Sequence, residues 1–262
     1  MQERELSLER KIAIVTGASR LSGIGAAICT ALASKGIDVF FTYWTTYDEE
    51  MPWGIHSNEP QVLQDKIIEY GVRCEKLELD LSNTLAPAKL LDTVEEKLGK
   101  PSILINNATY SVDVGYDTLT AEVLDKHYQV NIRGTMLLSA EFSSRFSYAK
   151  GGRIINLTSG QSLGPMAGNI AYATTKGAID TFTLTLSAEV ASKGITVNAV
   201  NPGPTDTGWM KDGVKDYILT KSPMGRIGVP QDAARLITFL ASDDAEWVTG
   251  QIIHSEGGFQ RG

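Results

Sequence analysis

Residues 11–25 read KIAIVTGASRLSGIG: a short apolar run, a glycine-rich turn, and the start of a segment that continues AAICTALASKG. Four apolar residues in a row suit a buried strand, and residues 24–35 carry the apolar spacing of a helix. In that order, strand, glycines and helix let the backbone approach a phosphate, whose charge then sits at the helix N-terminus. The spacing is G-x5-G-x-G, from Gly17 through Gly23 to Gly25. Taken alone it also reads as a tight turn with a glycine for close helix packing.

Working outward, further strand candidates follow at 38–43, 76–80, 102–106, 153–157, 196–200 and 250–255, after the first at 12–15. Helical periodicity occupies 61–70, 87–98, 121–148, 172–193 and 231–242. Strands apolar on both faces that alternate with helices specify a parallel sheet covered on each side, the doubly wound α/β architecture. No linker or repeat divides the chain, so residues 1–262 are expected to form one domain. Residues 44–60, with Pro52, Gly54 and Pro60, are long for a strand-to-helix connection and are expected to be an inserted surface loop.

With 24 Lys and Arg against 31 Asp and Glu, the net charge of -7 argues against a broad nucleic-acid footprint and for a small-molecule partner. No apolar run approaches the roughly 20 residues that span a bilayer. The opening MQERELSLER has no apolar core of a signal peptide, which predicts a cytoplasmic protein. Cys29 and Cys74 lack metal spacing and are expected to be reduced structural thiols, and no metal site is expected.

Downstream of the glycine turn lie NNA at 106–108, Asn131, Ser159, Tyr172 with Lys176, and NPGPTDT at 201–207. With this set the chain resembles the short-chain dehydrogenase/reductase family from about Lys11 to the SEGGF near its end. The resemblance implies a seven-stranded Rossmann-like sheet that binds NAD or NADP. The family's usual turn is TGxxxGxG, so Leu21 and Ser22 are extra; they are expected to bulge outward or to add a hydroxyl donor. A five-residue gap resembles the divergent enoyl-reductase branch. That branch places its lysine seven residues after the tyrosine, whereas here the gap is four.

Tyr172 and Lys176, four apart on a helix, can point one face at one ligand. Tyr217 and Lys221 share that spacing, so the spacing alone identifies nothing. Tyr172 stands thirteen residues after Ser159, at the end of strand RIINLTS, as the family pattern requires; Tyr217 is assigned to a substrate lid over 205–228. Carbonyl reduction needs a proton for the developing alkoxide, and a nearby Lys176 ammonium is expected to lower the tyrosine pKa from near 10. The resemblance further implies that Lys176 bonds the nicotinamide ribose, Ser159 the substrate oxygen, and that Asn131 holds a proton-relay water.

For the cofactor, the match assigns Gly17, Ser19, Arg20, Gly23 and Ile24 to the pyrophosphate side and Tyr43 to the end of the second strand. Asp80 would meet the adenine amine, with Leu81 beside it, although Asp80 also reads as a helix cap. Asn107 and Ala108 would flank the adenosine ribose, and Pro202, Gly203, Thr205 and Thr207 the carboxamide and phosphates. Thr109 replaces the family's usual glycine. No acid follows the second strand until Asp48, and Arg20 sits where a 2'-phosphate is often held, so NADP(H) is expected over NAD(H).

The closest family likeness is to 3-oxoacyl-acyl-carrier-protein reductases, which implies a carbonyl or acyl-thioester substrate, a role in fatty acid biosynthesis, a homotetramer, and an acyl carrier protein docked at Lys150 and Lys193. Two solvated lysines at helix ends explain that last pair as well. A sugar or alcohol dehydrogenase of the same family, or a non-catalytic NADP-binding sensor or scaffold, are the alternatives.

Overall fold

The computed structural model describes residues 10–51, 53–54 and 58–261; most of the charged opening stretch and part of the 44–60 segment lie outside the described residues. Seven strands, β1 (Ile12–Val15), β2 (Asp38–Tyr43), β3 (Cys74–Glu78), β4 (Ile103–Asn106), β5 (Gly152–Leu157), β6 (Ile195–Asn201) and β7 (Ile252–His254), form one sheet of order β3-β2-β1-β4-β5-β6-β7. Every pairing is parallel.

The strands read as apolar runs because alternate residues feed two different cores. Val15, Phe41, Ile105 and Leu157 join one cluster; Ile14, Phe40, Leu104 and Ile154 join the other. Helices α1 (Ile24–Ala33), α3 (Glu59–Ile68) and α9 (Pro230–Ala241) cover the first face, while α4 (Ala86–Lys97), α6 (Thr135–Arg145) and α7 (Ile170–Val190) cover the second. Phe40 and Phe41 are both fully buried, so truncating either to alanine should cost about 3–5 kcal/mol.

Chain order reverses between β1 and β4, and the loops leaving those two strands flank a crevice at the C-terminal ends of the strands. The glycine turn and the NNAT segment therefore face each other.

Three sequence expectations change. The long helix over 121–148 is α5 (Ala121–His127), a π-helical turn over Tyr128–Gly134, and α6, ending at Arg145 where Phe146 turns extended (ψ 119°). The π turn brings the backbone against the loop after β3: a Cβ on Gly134 would lie 2.8 Å from the Leu81 carbonyl oxygen. The 44–60 segment is not simply a loop, because it contains α2 (Thr45–Glu50), whose Asp48 is 4% exposed. The third strand begins at Cys74, earlier than its apolar residues indicate. Cys29 and Cys74 are buried free thiols; burial pushes Cys74 up to about 12 and Cys29 well above its ordinary value. Among the described residues no helix is long and apolar enough to cross a membrane.

Candidate active site

The glycine turn is tied down before any ligand arrives. Ala18 N–H donates to the Thr42 carbonyl (2.8 Å) and Trp44 N–H to Ser19 Oγ (3.3 Å), which fixes the turn to the end of β2 beside Tyr43. Asn107 Nδ2 donates to the carbonyls of Thr16 (2.9 Å) and Gly17 (2.8 Å), and Ala108 N–H to Thr16 Oγ1 (3.0 Å), which fixes it to the end of β4. Gly17 has φ +74°, and a Cβ there would lie 2.6 Å from Ala108 Cα; a Cβ on Gly25 would lie 2.5 Å from the Gly17 carbonyl oxygen. Helix α1 begins after Gly23 with no side-chain cap. Uncapped first-turn amides of Ile24 and its neighbours, above a floor that excludes side chains, fit a dinucleotide pyrophosphate.

The two extra residues are tied back to the protein, Leu21 partly buried and Ser22 exposed but used as a hydroxyl donor. Leu21 N–H donates to Glu59 Oε2 (2.8 Å) while its side chain packs on the first core, and Ser22 Oγ donates to the Thr207 carbonyl (3.1 Å). The added hydroxyl thus goes to the protein rather than to the phosphate cradle.

Arg20 is engaged on three sides. Its Nη1 donates to the Thr207 carbonyl (3.0 Å), its Nε lies 3.5 Å from Asp48 Oδ1, and its guanidinium lies 4.5 Å from the centre of the Trp53 ring. Trp53 Nε1 donates to the same Asp48 Oδ1 (2.9 Å), and the Tyr47 hydroxyl reaches across to the Ser111 carbonyl (3.2 Å). The carboxylate that the end of β2 lacks is therefore supplied by α2, folded back onto Arg20. Asp80 receives Ser82 N–H (2.8 Å) on one carboxylate oxygen and the Ser82 hydroxyl (2.7 Å) on the other. It closes a turn and caps no helix, since α4 starts after Leu85. Leu81 is buried in the second core.

Asn131 sits within the π turn at 2% exposure. Its Oδ1 accepts from Tyr110 N–H (2.7 Å) and Thr109 Oγ1 (3.1 Å); its Nδ2 donates to the Tyr110 carbonyl (2.9 Å) and to Thr175 Oγ1 (3.0 Å). Both donors and both usual acceptor positions of the side-chain amide are taken, which leaves the backbone carbonyl in the π turn as the group through which Asn131 would hold a relay water. The Asn131 side chain joins the loop after β4 to α7, and the unusual Thr109 is one of its partners. His127, buried and shifted down by that burial, steadies the same loop by stacking edge-on against Tyr110 at 4.9 Å.

Ser159, Tyr172 and Lys176 come together as expected. Lys176 is buried, donates to the Leu157 carbonyl (2.8 Å), and lies 5.5 Å from the centre of the Tyr172 ring. Burial pushes its ammonium down to about 8, with Asp180 opposing. The Tyr172 phenol is raised above its ordinary value by burial, which a hydrogen bond from Ser159 only partly offsets. This reverses the expected direction: the Lys176 ammonium is aimed at a carbonyl rather than at the phenol oxygen, so desolvation wins and the resting tyrosine keeps its proton.

After β6, Thr205 Oγ1 donates to the carbonyls of Pro202 (3.2 Å) and Gly203 (3.1 Å), and Thr205 and Thr207 are both buried. Helix α8 (Asp212–Thr220) follows, and Tyr217 is 60% exposed on it. Lys193 donates to the Ser143 carbonyl at the end of α6, and Lys150 lies 3.7 Å from Glu246.

Sequence reasoning missed Asp180, Thr175 and Gly25 as site-forming residues. Asp180 follows Lys176 by four on the same helix and holds Thr158 Oγ1 (2.5 Å) and Gln161, the neighbours of Ser159. That spacing was a usable signal, as was the place of Gly25 in the glycine motif.

A family model described as enoyl-(acyl carrier protein) reductase matches residues 17–260. An uncharacterized oxidoreductase of Bacillus subtilis, YjdA, is 54% identical over 97% of this chain and 98% of its own length. The 3-oxoacyl-[acyl-carrier-protein] reductase FabG of Aquifex aeolicus is 30% identical over 97% of this chain and 99% of its own. The crystal structure of a short-chain dehydrogenase from Burkholderia cenocepacia in complex with NADP superposes with a TM-score of 0.85 at 30% identity, covering 95% of this chain and 97% of that one.

Proposed function

The chain belongs to the short-chain dehydrogenase/reductase family of oxidoreductases, and on that premise we propose that it uses NADPH to reduce a carbonyl to an alcohol, with 3-oxoacyl thioesters as the leading substrate class. The observation that supports this is the convergence of Ser159 with Tyr172 and buried Lys176 of α7, the helix that Asn131 joins to the loop after β4, which in turn is bonded to the glycine turn. When bound there, a nicotinamide supplies the hydride to the carbonyl carbon. Ser159 hydrogen-bonds the carbonyl oxygen, and Tyr172, resting as the neutral phenol, gives that oxygen its proton as charge develops. Lys176, 5.5 Å from the centre of the Tyr172 ring, would stabilise the phenolate left behind once its ammonium turns from the Leu157 carbonyl towards the phenol oxygen. Asn131 holds the loop that carries Thr109 and Tyr110 in register with α7.

The acyl-thioester reading rests on the acyl-carrier-protein description of the matching family model and on a relative at 30% identity. Carrier docking at Lys150 and Lys193 draws little support from geometry, since Lys193 is already committed to the Ser143 carbonyl and Lys150 lies near Glu246. Preference for NADPH rests on Arg20, whose remaining donors face a phosphate only in competition with Asp48.

NADPH consumption measured against acetoacetyl thioesters, simple aldehydes and ketones, quinones and sugars tests the proposal. Highest kcat/KM is expected for the thioesters. Turnover of sugars alone would move the assignment to sugar dehydrogenation, and NADPH binding with no turnover across the panel would make the protein a sensor or scaffold.

A further inference from the structure

The segment after β7 reaches the serine loop through one ion pair. Arg261 Nη1 and Nη2 bind Glu256 Oε1 (2.7 Å) and Oε2 (2.6 Å), a two-point pair whose side chains are 17% and 8% exposed. The guanidinium lies directly on Gly160, the residue after Ser159: a Cβ on Gly160 would overlap it, and a Cβ on Gly164 would lie 3.2 Å from Arg261 Cβ. The other half of the pair rests on the loop after β6. Asn201 Nδ2 donates to Glu256 Oε2 (2.9 Å), Gly203 N–H donates to Asn201 Oδ1 (2.9 Å), and a Cβ on Gly203 would overlap Glu256.

Three glycines thus lack a Cβ where this pair passes, on two loops leaving different strands. One carries Ser159; the other, Pro202 and Gly203, is assigned to the cofactor. Asp180 already holds Thr158 and Gln161 from the helix side, so Gly160 and Gly164 are the part of the serine loop left to be restrained from the opposite side.

We propose that Arg261, fastened by Glu256, is a positioning residue that clamps the Ser159 loop against the Pro202–Gly203 loop and so fixes the serine hydroxyl relative to bound cofactor. The inference rests on the carbonyl-reductase reading for its kinetic consequence but not for its structural one. A loop released by even an ångström misplaces the Ser159 hydroxyl, and such errors are costly to oriented chemistry.

Arg261→Ala, Arg261→Lys and Glu256→Gln test it, the last keeping shape while removing the charge. In cofactor-free protein, amide hydrogen exchange of residues 159–166 should speed up in Arg261→Ala and Glu256→Gln, with less change in Arg261→Lys, while exchange in β1 and β4 stays as in the wild type. With a substrate in hand, kcat/KM should fall about 10- to 100-fold while the NADPH Kd holds within about twofold. Gly160→Ala should reproduce the loss alone and add little to Arg261→Ala, because both release the same contact. Unchanged exchange over 159–166 overturns the clamp, as does faster exchange with kcat/KM unaltered or full additivity of Gly160→Ala with Arg261→Ala. Tyr172→Phe measured alongside judges the reductase reading separately, since its failure leaves the exchange result intact.

Discussion

Arg20 and Asp48 form a largely buried ion pair, Nε to Oδ1 at 3.5 Å, that joins the glycine turn to a helix 28 positions further along the chain. On the proposed reading the pair would set two influences on cofactor choice against each other: a guanidinium that would hold a 2'-phosphate, and a carboxylate that would repel one.

Asp48→Asn keeps an acceptor for Trp53 Nε1 and removes the charge, so it should tighten NADPH binding about fivefold, the ~1 kcal/mol of a partly exposed pair, and leave NADH nearly unchanged. Arg20→Ala should weaken NADPH by roughly 10- to 150-fold and NADH little. Isothermal titration of both cofactors decides. Equal losses for NADPH and NADH in Arg20→Ala would mean that Arg20 only shapes the turn, and the NADPH preference would then be withdrawn.

Tyr172→Phe removes the phenol proton while keeping the ring beside Lys176. Turnover should drop by about three orders of magnitude or more with the NADPH Kd preserved, whereas Tyr217→Phe, on the exposed face of α8, should change KM at most. Single-turnover reduction monitored at the nicotinamide absorbance separates chemistry from binding.

Burial holds the Lys176 ammonium at about 8 instead of its ordinary 10.5, so the folded protein releases that proton before the unfolded chain does. Between those values the unfolded chain binds more protons and stability rises with pH; below about 8 the full penalty is present, on the order of 2–4 kcal/mol. Denaturant unfolding of cofactor-free wild type and Lys176→Met should therefore show wild type gaining on the variant from pH 8 towards 10.5. A difference that does not vary with pH would return Lys176 to its ordinary value.

The proposed homotetramer draws support from apolar side chains left on the outer faces of α5, the π turn, α6 and α7: Leu124 (42% exposed), Tyr128 (49%), Met136 (40%), Leu137 (42%) and Leu184 (53%). Light scattering at micromolar concentration should give four times 28.4 kDa, and Leu137→Glu with Leu184→Glu should reduce it. A wild-type monomer would sink the proposal.

Local pattern decided most of this protein. Apolar runs of strand length between helical periods determine a parallel sheet whatever the partners, because each strand such as Val39–Phe40–Phe41 must bury both faces. The serine, tyrosine and lysine were legible through the family pattern, which places them at a strand end and one turn apart on a helix; the tyrosine–lysine spacing alone, shared by Tyr217 and Lys221, could not single them out. What pattern could not reach were relations made by chain segments far apart: Asp48 against Arg20, Ser22 against Thr207, Arg261 against Gly160, and the amide of Asn131 spent on the loop after β4. The direction of the tyrosine's proton affinity belongs with these. Spacing puts Lys176 one turn from Tyr172, but whether an ammonium one turn away lowers a phenol pKa depends on where it points and on how much water remains. Both are properties of the packed crevice, in which Lys176 turns to the Leu157 carbonyl and burial outweighs charge.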